Sequence, residues 1–392
     1  MSDASDGLSS PALADAAPAT LTWRDGAGEH AAAWVAPGAP PPSRLGAADD
    51  RTRAAEAVAR ASRGEALVYR GDYHNARQLL AAMSRRLAPR PPRSRDPAAL
   101  FRAERAAVRR EREVLGRLLV PLGAGWAVTL ARAPDVRVAC EEALGAPPEG
   151  AALLPLRDLL GIVGAHEWRR RGVPVPALGG ECIHPHYGVY APIRGEYVEL
   201  VARAAAEWPV AGKRVLEVGT GTGVLAVVLA RAGARVTATD LDPRAVACAR
   251  ENARRLGVAD RVEVVAADLF PATAPVDLVV SNPPWVPAEA HGPLERAVYD
   301  PGGAFLERLV LGIPARLAPG GEAWIVLSDL AERLGLRAPD HLERLAARAG
   351  LRVAAIREAH PAHPRARDRA DPLHDVRSRE VTRLFRLVAA GG

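Results

Sequence analysis

Two short runs in this 392-residue chain hold the residue types best suited to chemistry: Glu217-Val218-Gly219-Thr220-Gly221-Thr222-Gly223 and Ser281-Asn282-Pro283-Pro284-Trp285. In the first, glycines let the backbone turn sharply and let a ligand approach with no Cβ in the way. A loop of this kind between a strand and a helix cradles a nucleotide. Dinucleotide and S-adenosylmethionine (SAM) sites both use one, and two details separate them here. The third glycine occupies the fifth position of G-x-G-x-G, leaving Val224 where a dinucleotide fingerprint would want glycine, and Glu217 stands two residues ahead of the loop.

Three carboxylates follow at strand ends. Asp240 closes Val236-Thr237-Ala238-Thr239, where a carboxylate can accept both ribose hydroxyls of a nucleoside. Asp242 precedes Pro243 and reads as a helix N-cap, not as a ligand. Asp268, in Ala267-Asp268-Leu269-Phe270, is placed to accept from an adenine amino group while Leu269 packs against the ring; a turn-capping Asp is the plainer alternative.

The second run explains a harder step. An amide or exocyclic amino nitrogen is a poor nucleophile because its lone pair is delocalised into the neighbouring π system. Accepting hydrogen bonds from both N–H groups turns the nitrogen toward tetrahedral geometry and exposes the lone pair. The Asn282 side-chain oxygen and the Pro283 carbonyl supply two such acceptors, and proline holds φ fixed. Positive charge growing on nitrogen strengthens both bonds at the transition state. Trp285 is read as a flat face on which a planar acceptor stacks, with Pro284 beside it. A rigid surface turn and a core aromatic are the bland alternatives.

The elements that must hold these residues are legible after Lys213. Short β-branched runs, Arg214–Val218, Arg235–Thr239, Val262–Ala266, Val276–Val280 and Ala323–Leu327, alternate with helical stretches, as in a doubly wound parallel sheet. Leu351–Ile356 and Thr382–Val388 read as a final antiparallel pair. Upstream, AAEAVARAS, HNARQLLAAMSRRL and PAALFRAERAAVRREREVLGRLLV carry apolar residues at helical spacing, so residues 51–178 are expected to form a mainly helical recognition domain. Breaks fall at RPPRS (90–94) and PVPALGG (174–180). Residues 1–50 read as a disordered tail, 179–200 as a connecting segment that contributes to the active site, and 201–392 as the catalytic domain.

Composition bounds the rest. With 48% hydrophobic and 25% charged residues the chain is globular, and neither a membrane span nor a signal peptide is apparent, which implies the cytoplasm. Cys140, Cys182 and Cys248 are too scattered for a disulfide framework or a thiolate zinc site. The net charge is +6, concentrated in residues 51–110, where 15 arginines face 5 acids. This stretch suits an acidic partner, nucleic acid or protein, and equally a solvated helix face. His184 and His186, and the group His360, His363, Asp371 and His374, could suggest a metal, but the later group lies in the loop between the last two strands with no helix to align its ligands. The later group reads as a polar lid, and no metal is expected.

The ordered set E-V-G-T-G-T-G, T-D, A-D-L-F and N-P-P-W over residues 211–330 resembles the class I SAM-dependent methyltransferases. The resemblance implies a seven-stranded sheet and SAM as cofactor, held by Glu217, Gly219, Gly221, Gly223, Asp240, Asp268 and Leu269. It also implies transfer to a planar nitrogen presented by Asn282, Pro283 and Trp285: protein glutamine first, a nucleic-acid base (adenine N6 or guanine N2) second, a small-molecule amine third. Gly188-Val189-Tyr190-Ala191-Pro192-Ile193-Arg194-Gly195-Glu196 is similar to the segment preceding the catalytic domain of release-factor glutamine methyltransferases. Ile193-Arg194-Gly195 departs from that family's consecutive Arg-Pro. Tyr187 and Tyr190 are candidates for the substrate entrance. A rival of another class is a non-catalytic RNA-binding protein on the same scaffold.

Overall fold

The computed structural model describes residues 19–25, 28–88, 94–361 and 368–391. The chain divides into two compact units, Met1–Pro92 with Arg102–Glu167, and Arg93–Phe101 with Trp168–Gly392.

The first unit corrects two expectations. It is built on a six-stranded sheet of order β1-β2-β6-β5-β4-β3, not on helices alone. Its strands are Thr20–Asp25 (β1), Gly28–Trp34 (β2), Leu45–Ala48 (β3), Ala66–Tyr69 (β4), Leu118–Leu122 (β5) and Ala152–Pro155 (β6). The first three lie within the stretch read as a tail; residues 1–18 and 26–27 of that stretch, like 90–93 of the expected break, lie outside the described residues. The helices do form: Ala54–Ser62 (α1), Tyr73–Leu87 (α2), Pro97–Leu115 (α3), Arg137–Leu144 (α4) and Leu156–Arg171 (α5). The strands escaped notice for a physical reason. β4 and β6 are four-residue runs buried at every position, and so short a continuous apolar run has no period to distinguish it from part of a helix.

In the second unit the sequence reading holds closely. After the short pair Val173–Pro174 (β7) and Cys182–Ile183 (β8) come Glu196–Glu207 (α6), Arg214–Val218 (β9), Val224–Arg231 (α7), Arg235–Asp240 (β10), Pro243–Arg255 (α8), Val262–Ala266 (β11) and Val276–Ser281 (β12). Then follow Ala304–Gly312 (α9), Leu317–Ser328 (β13), Leu330–Arg333 (α10), His341–Arg348 (α11), Leu351–Ala359 (β14), His374–Arg377 (α12) and Thr382–Ala389 (β15). The seven-stranded sheet runs β11-β10-β9-β12-β13-β15-β14. All its pairings are parallel except those of β15, which is antiparallel to both β13 and β14.

This order creates the crevice. From β9 the chain moves outward through β10 and β11, then returns to place β12 on the other side of β9, so the connections leaving β9 and β12 diverge above adjacent strands. Open α/β sheets hold ligands at such a switch point, at the carboxyl ends of the strands. The floor beneath it is apolar: Leu216, Val218, Leu278, Val279, Val280 and Trp324 are all buried.

Candidate active site

β9 ends in the glycine loop. Gly219, Gly221 and Gly223 adopt φ of +74°, +55° and +81°, a region costly to residues with a Cβ. The first two leave the outer side of the loop open: a Cβ at Gly219 would meet only Phe305 Cζ at 3.6 Å, and one at Gly221 would meet nothing within 4 Å. Gly223 serves packing instead, since a Cβ there would lie 3.0 Å from the Ala249 Cα of α8. The loop is tied down from several sides. Gly219 and Thr220 donate their amides to the Thr239 carbonyl at 2.9 and 2.8 Å.

Glu217, read as a cofactor contact, is engaged with the loop itself. Its side chain is 2% exposed and its Oε2 accepts from Thr220 Oγ1 at 2.6 Å. Burial pushes this carboxyl up to about 8.

Asp240 ends β10 and is hydrogen-bonded to the glycine loop. Its Oδ2 accepts from the Gly221 amide at 3.0 Å and its Oδ1 from the Asp242 amide at 2.9 Å. Burial raises its carboxyl above the ordinary range, against these hydrogen bonds. Asp242 is an N-cap as expected, accepting from Arg244 N at 2.9 Å. Between the two, Leu241 is 70% exposed, an apolar side chain left on the rim of the nucleoside cradle. The sequence signal, an apolar residue directly after the strand-ending carboxylate, was present and went unused.

Asp268 is exposed, and its Oδ2 is paired with Arg308 at 2.7 Å. Leu269 is buried and held at φ +65°, one of three non-glycine residues recorded at positive φ among the described residues. Its carbonyl accepts from Thr239 Oγ1 at 2.8 Å. Backbone strain of this kind, on the order of 1–3 kcal/mol, persists where surrounding contacts enforce it and is concentrated at ligand clamps.

β12 ends at Ser281 and leads directly into Asn282. Ser281 pairs in register with Val218, and its hydroxyl donates to the Val218 carbonyl at 2.8 Å. Asn282 therefore leaves the sheet beside Gly219, on a strand about 5 Å away. Its Oδ1 accepts from the Trp285 indole Nε1–H at 2.8 Å. Trp285 corrects its own reading. It is only 9% exposed, belongs to the core of this unit, and has the Arg194 guanidinium over its ring at 4.8 Å. Such a ring offers no open face for stacking. Pro283 is buried and Pro284 half-buried. Tyr187 and Tyr190 stand half-buried in the run that leads to Arg194, and burial pushes the Tyr190 hydroxyl up.

Asn252 on α8 was missed altogether. It is fully buried; its Nδ2 donates to the Thr222 carbonyl at 3.0 Å and its Oδ1 accepts from His184 N at 2.9 Å. One side chain thus ties the connecting segment to the glycine loop. The signal was a polar residue on the apolar stripe of α8 formed by Ala245, Cys248, Ala249 and Ala253.

His184 and His186 are each hydrogen-bonded within the second unit. His184 Nδ1 meets the Arg169 carbonyl at 2.6 Å, and His186 Nε2 meets Glu251 Oε2 at 2.7 Å. That contact, with Arg169 nearby, holds the Glu251 carboxyl down to about 2. Among the described residues no group of three or more His, Cys, Asp or Glu could hold a metal. His363 lies outside the described residues. Asp371 is paired with Arg377 of α12, and Leu373 between them is buried in the core.

A sheet whose last strand is reversed, with a nucleoside cradle on one central strand and an oriented amide on the next, is the arrangement of a SAM-dependent methyltransferase. The family model described as methyltransferase small domain matches residues 199–342. A release factor glutamine methyltransferase of Bordetella pertussis is 36% identical over 256 residues, covering 58% of this chain and 88% of that protein. The Chlorobaculum tepidum protein of the same description is 32% identical, covering 43% and 67%. A ribosomal RNA small subunit methyltransferase C of Chromohalobacter salexigens is 43% identical over 117 residues, covering 30% and 32%.

The chain belongs to the release factor glutamine methyltransferase family, and SAM is its methyl donor. The cradle fits that cofactor: two glycines with room beside them and a half-buried carboxylate at the end of the neighbouring strand. No helix among the described residues is long and apolar enough to cross a membrane.

Proposed function

We propose that this enzyme methylates the side-chain amide nitrogen of a glutamine in a protein acceptor of the release-factor class. The observation that carries the reading is the position of Asn282, at the switch point beside Gly219, with its carbonyl oxygen oriented by a donor-only partner. When bound, SAM supplies an electrophilic methyl group on a sulfonium. Gly219 and Gly221 would admit the cofactor, Asp240 would hold its ribose, and Leu241, Asp268 and Leu269 would hold its adenine. Asn282 Oδ1 retains a lone pair for one acceptor N–H, and the Pro283 carbonyl takes the other. Both bonds strengthen as positive charge grows on nitrogen, so they lower the barrier more than they tighten ground-state binding. A neutral amide suffices because no proton has to leave before transfer.

Support for the acceptor comes from the relatives' described substrate and from the side-chain chemistry, since a primary amide offers the two N–H groups this pair of carbonyls can receive. Tyr187, Tyr190 and Pro284 form the acceptor entrance in this reading. The first unit recognises the acceptor, and a release factor would put the working protein in the cytoplasm.

The test is labelled methyl transfer from SAM to purified release factor, ribosomal RNA and a small-molecule extract, with wild type and Asn282→Ala. Label on one glutamine of the release factor is expected, with kcat reduced about 100- to 1,000-fold in the variant and SAM affinity within about threefold. Label confined to RNA would replace the acceptor by a base; RNA binding with no labelled fraction would favour the non-catalytic scaffold.

A further inference from the structure

Asn282 can work only if its carbonyl, and not its amino group, faces the acceptor, and a side-chain amide is free to flip between the two. We propose that Trp285, Arg194 and Glu380 are positioning residues that prevent this flip; the proposal rests on the reading of Asn282 above. An indole N–H can donate and cannot accept. At 2.8 Å from Trp285 Nε1, the Asn282 atom in that place is therefore the oxygen. One lone pair of that oxygen is committed and the other remains for an acceptor N–H.

The indole in turn is braced. Arg194 lies over its face at 4.8 Å, a cation–π contact in a largely desolvated place. Arg194 is itself fixed by two carboxylates, its Nε donating to Glu196 Oε1 at 2.7 Å and its Nη2 to Glu380 Oε1 at 2.9 Å. Glu380, 3% exposed, also accepts from the Ser328 hydroxyl at 2.5 Å. Ser328 ends β13 and Glu380 stands two residues before β15. The brace thus runs from the reversed strand pair at one side of the sheet to the amide at its centre. It also gives Arg194 a role where the segment departs from the family's Arg-Pro spacing.

Two measurements test it. In a 15N-resolved spectrum the chain has seven tryptophans, and Trp285→Phe identifies the indole signal of Trp285. Asn282→Ala should move that indole proton upfield, as loss of a hydrogen bond requires; an unmoved signal overturns the inference whether or not any acceptor is found. In turnover, Trp285→Phe keeps the ring and loses the N–H, so kcat should fall about 10- to 100-fold while SAM affinity stays within about twofold. Glu380→Gln should lower kcat less, by weakening the hold on Arg194. Unchanged kcat in both variants, or a loss of SAM affinity equal to the loss of kcat, overturns the proposal. If Trp285→Phe fails to fold, Glu380→Gln turnover decides together with the Asn282→Ala spectrum, in which one of the seven indole signals should move upfield and none moving overturns the inference. Failure of wild type to label any glutamine would instead remove the acceptor assignment and leave the indole result standing.

Discussion

Glu217 shows how little of a side chain's role its type reveals. A carboxylate two residues before a glycine loop suggests a ligand contact, but full burial makes it a support for the loop. This has a pH consequence. The native carboxyl holds its proton up to about 8, against an ordinary glutamate value of 4.5, so the folded chain binds the extra proton throughout that interval. Stability therefore falls as pH rises through the interval and levels off above about 8. Thermal melting from pH 5 to 8 should show the melting temperature of wild type declining, and Glu217→Gln should flatten the decline by an amount on the order of a few kcal/mol. An equal slope in both proteins would show that Glu217 ionises normally in the folded state. Trp285 teaches the same lesson in reverse, because an aromatic read as a stacking surface is an orienting donor.

Among the elements, the decisive fit is α7 and α8 against the glycine loop. Gly223 combines a φ of +81° with an approach of 3.0 Å to the Ala249 backbone. Gly223→Ala is expected to cost about 1–3 kcal/mol and to weaken SAM binding at least tenfold by calorimetry, because α8 must move while carrying Asp242 and Asn252. SAM affinity unchanged from wild type would mean the loop tolerates that shift. The strands of this unit were readable to within a residue or two at most ends because each is a β-branched run bounded by helix. The exceptions are β14, which runs three residues past Ile356 to Ala359, and β13, which begins at Leu317 and so includes the Pro319-Gly320-Gly321 stretch that looks like a turn.

For the molecule as a whole, the first unit is where sequence and structure part most. Its charge was legible, and two of its arginines, Arg85 and Arg86, lie exposed in the last turn of α2. If this unit recognises the acceptor, Arg85→Glu with Arg86→Glu should raise KM for the protein acceptor several-fold and weaken the salt dependence of that KM, leaving kcat and SAM affinity at wild-type values. Unchanged KM would assign the arginines to a solvated surface.

Local conformation was already settled by the order of residues along the chain: which loop must be glycine, which residue caps α8, and which tetrapeptide sets two carbonyl acceptors side by side all follow from backbone and side-chain properties that act within a few residues. Partnership was not settled there. Whether Glu217 faces a ligand or a threonine, whether Trp285 stacks or donates, and whether four apolar residues form a strand or part of a helix depend on neighbours distant in sequence. Burial and hydrogen-bond geometry assign those neighbours only once the sheets are assembled.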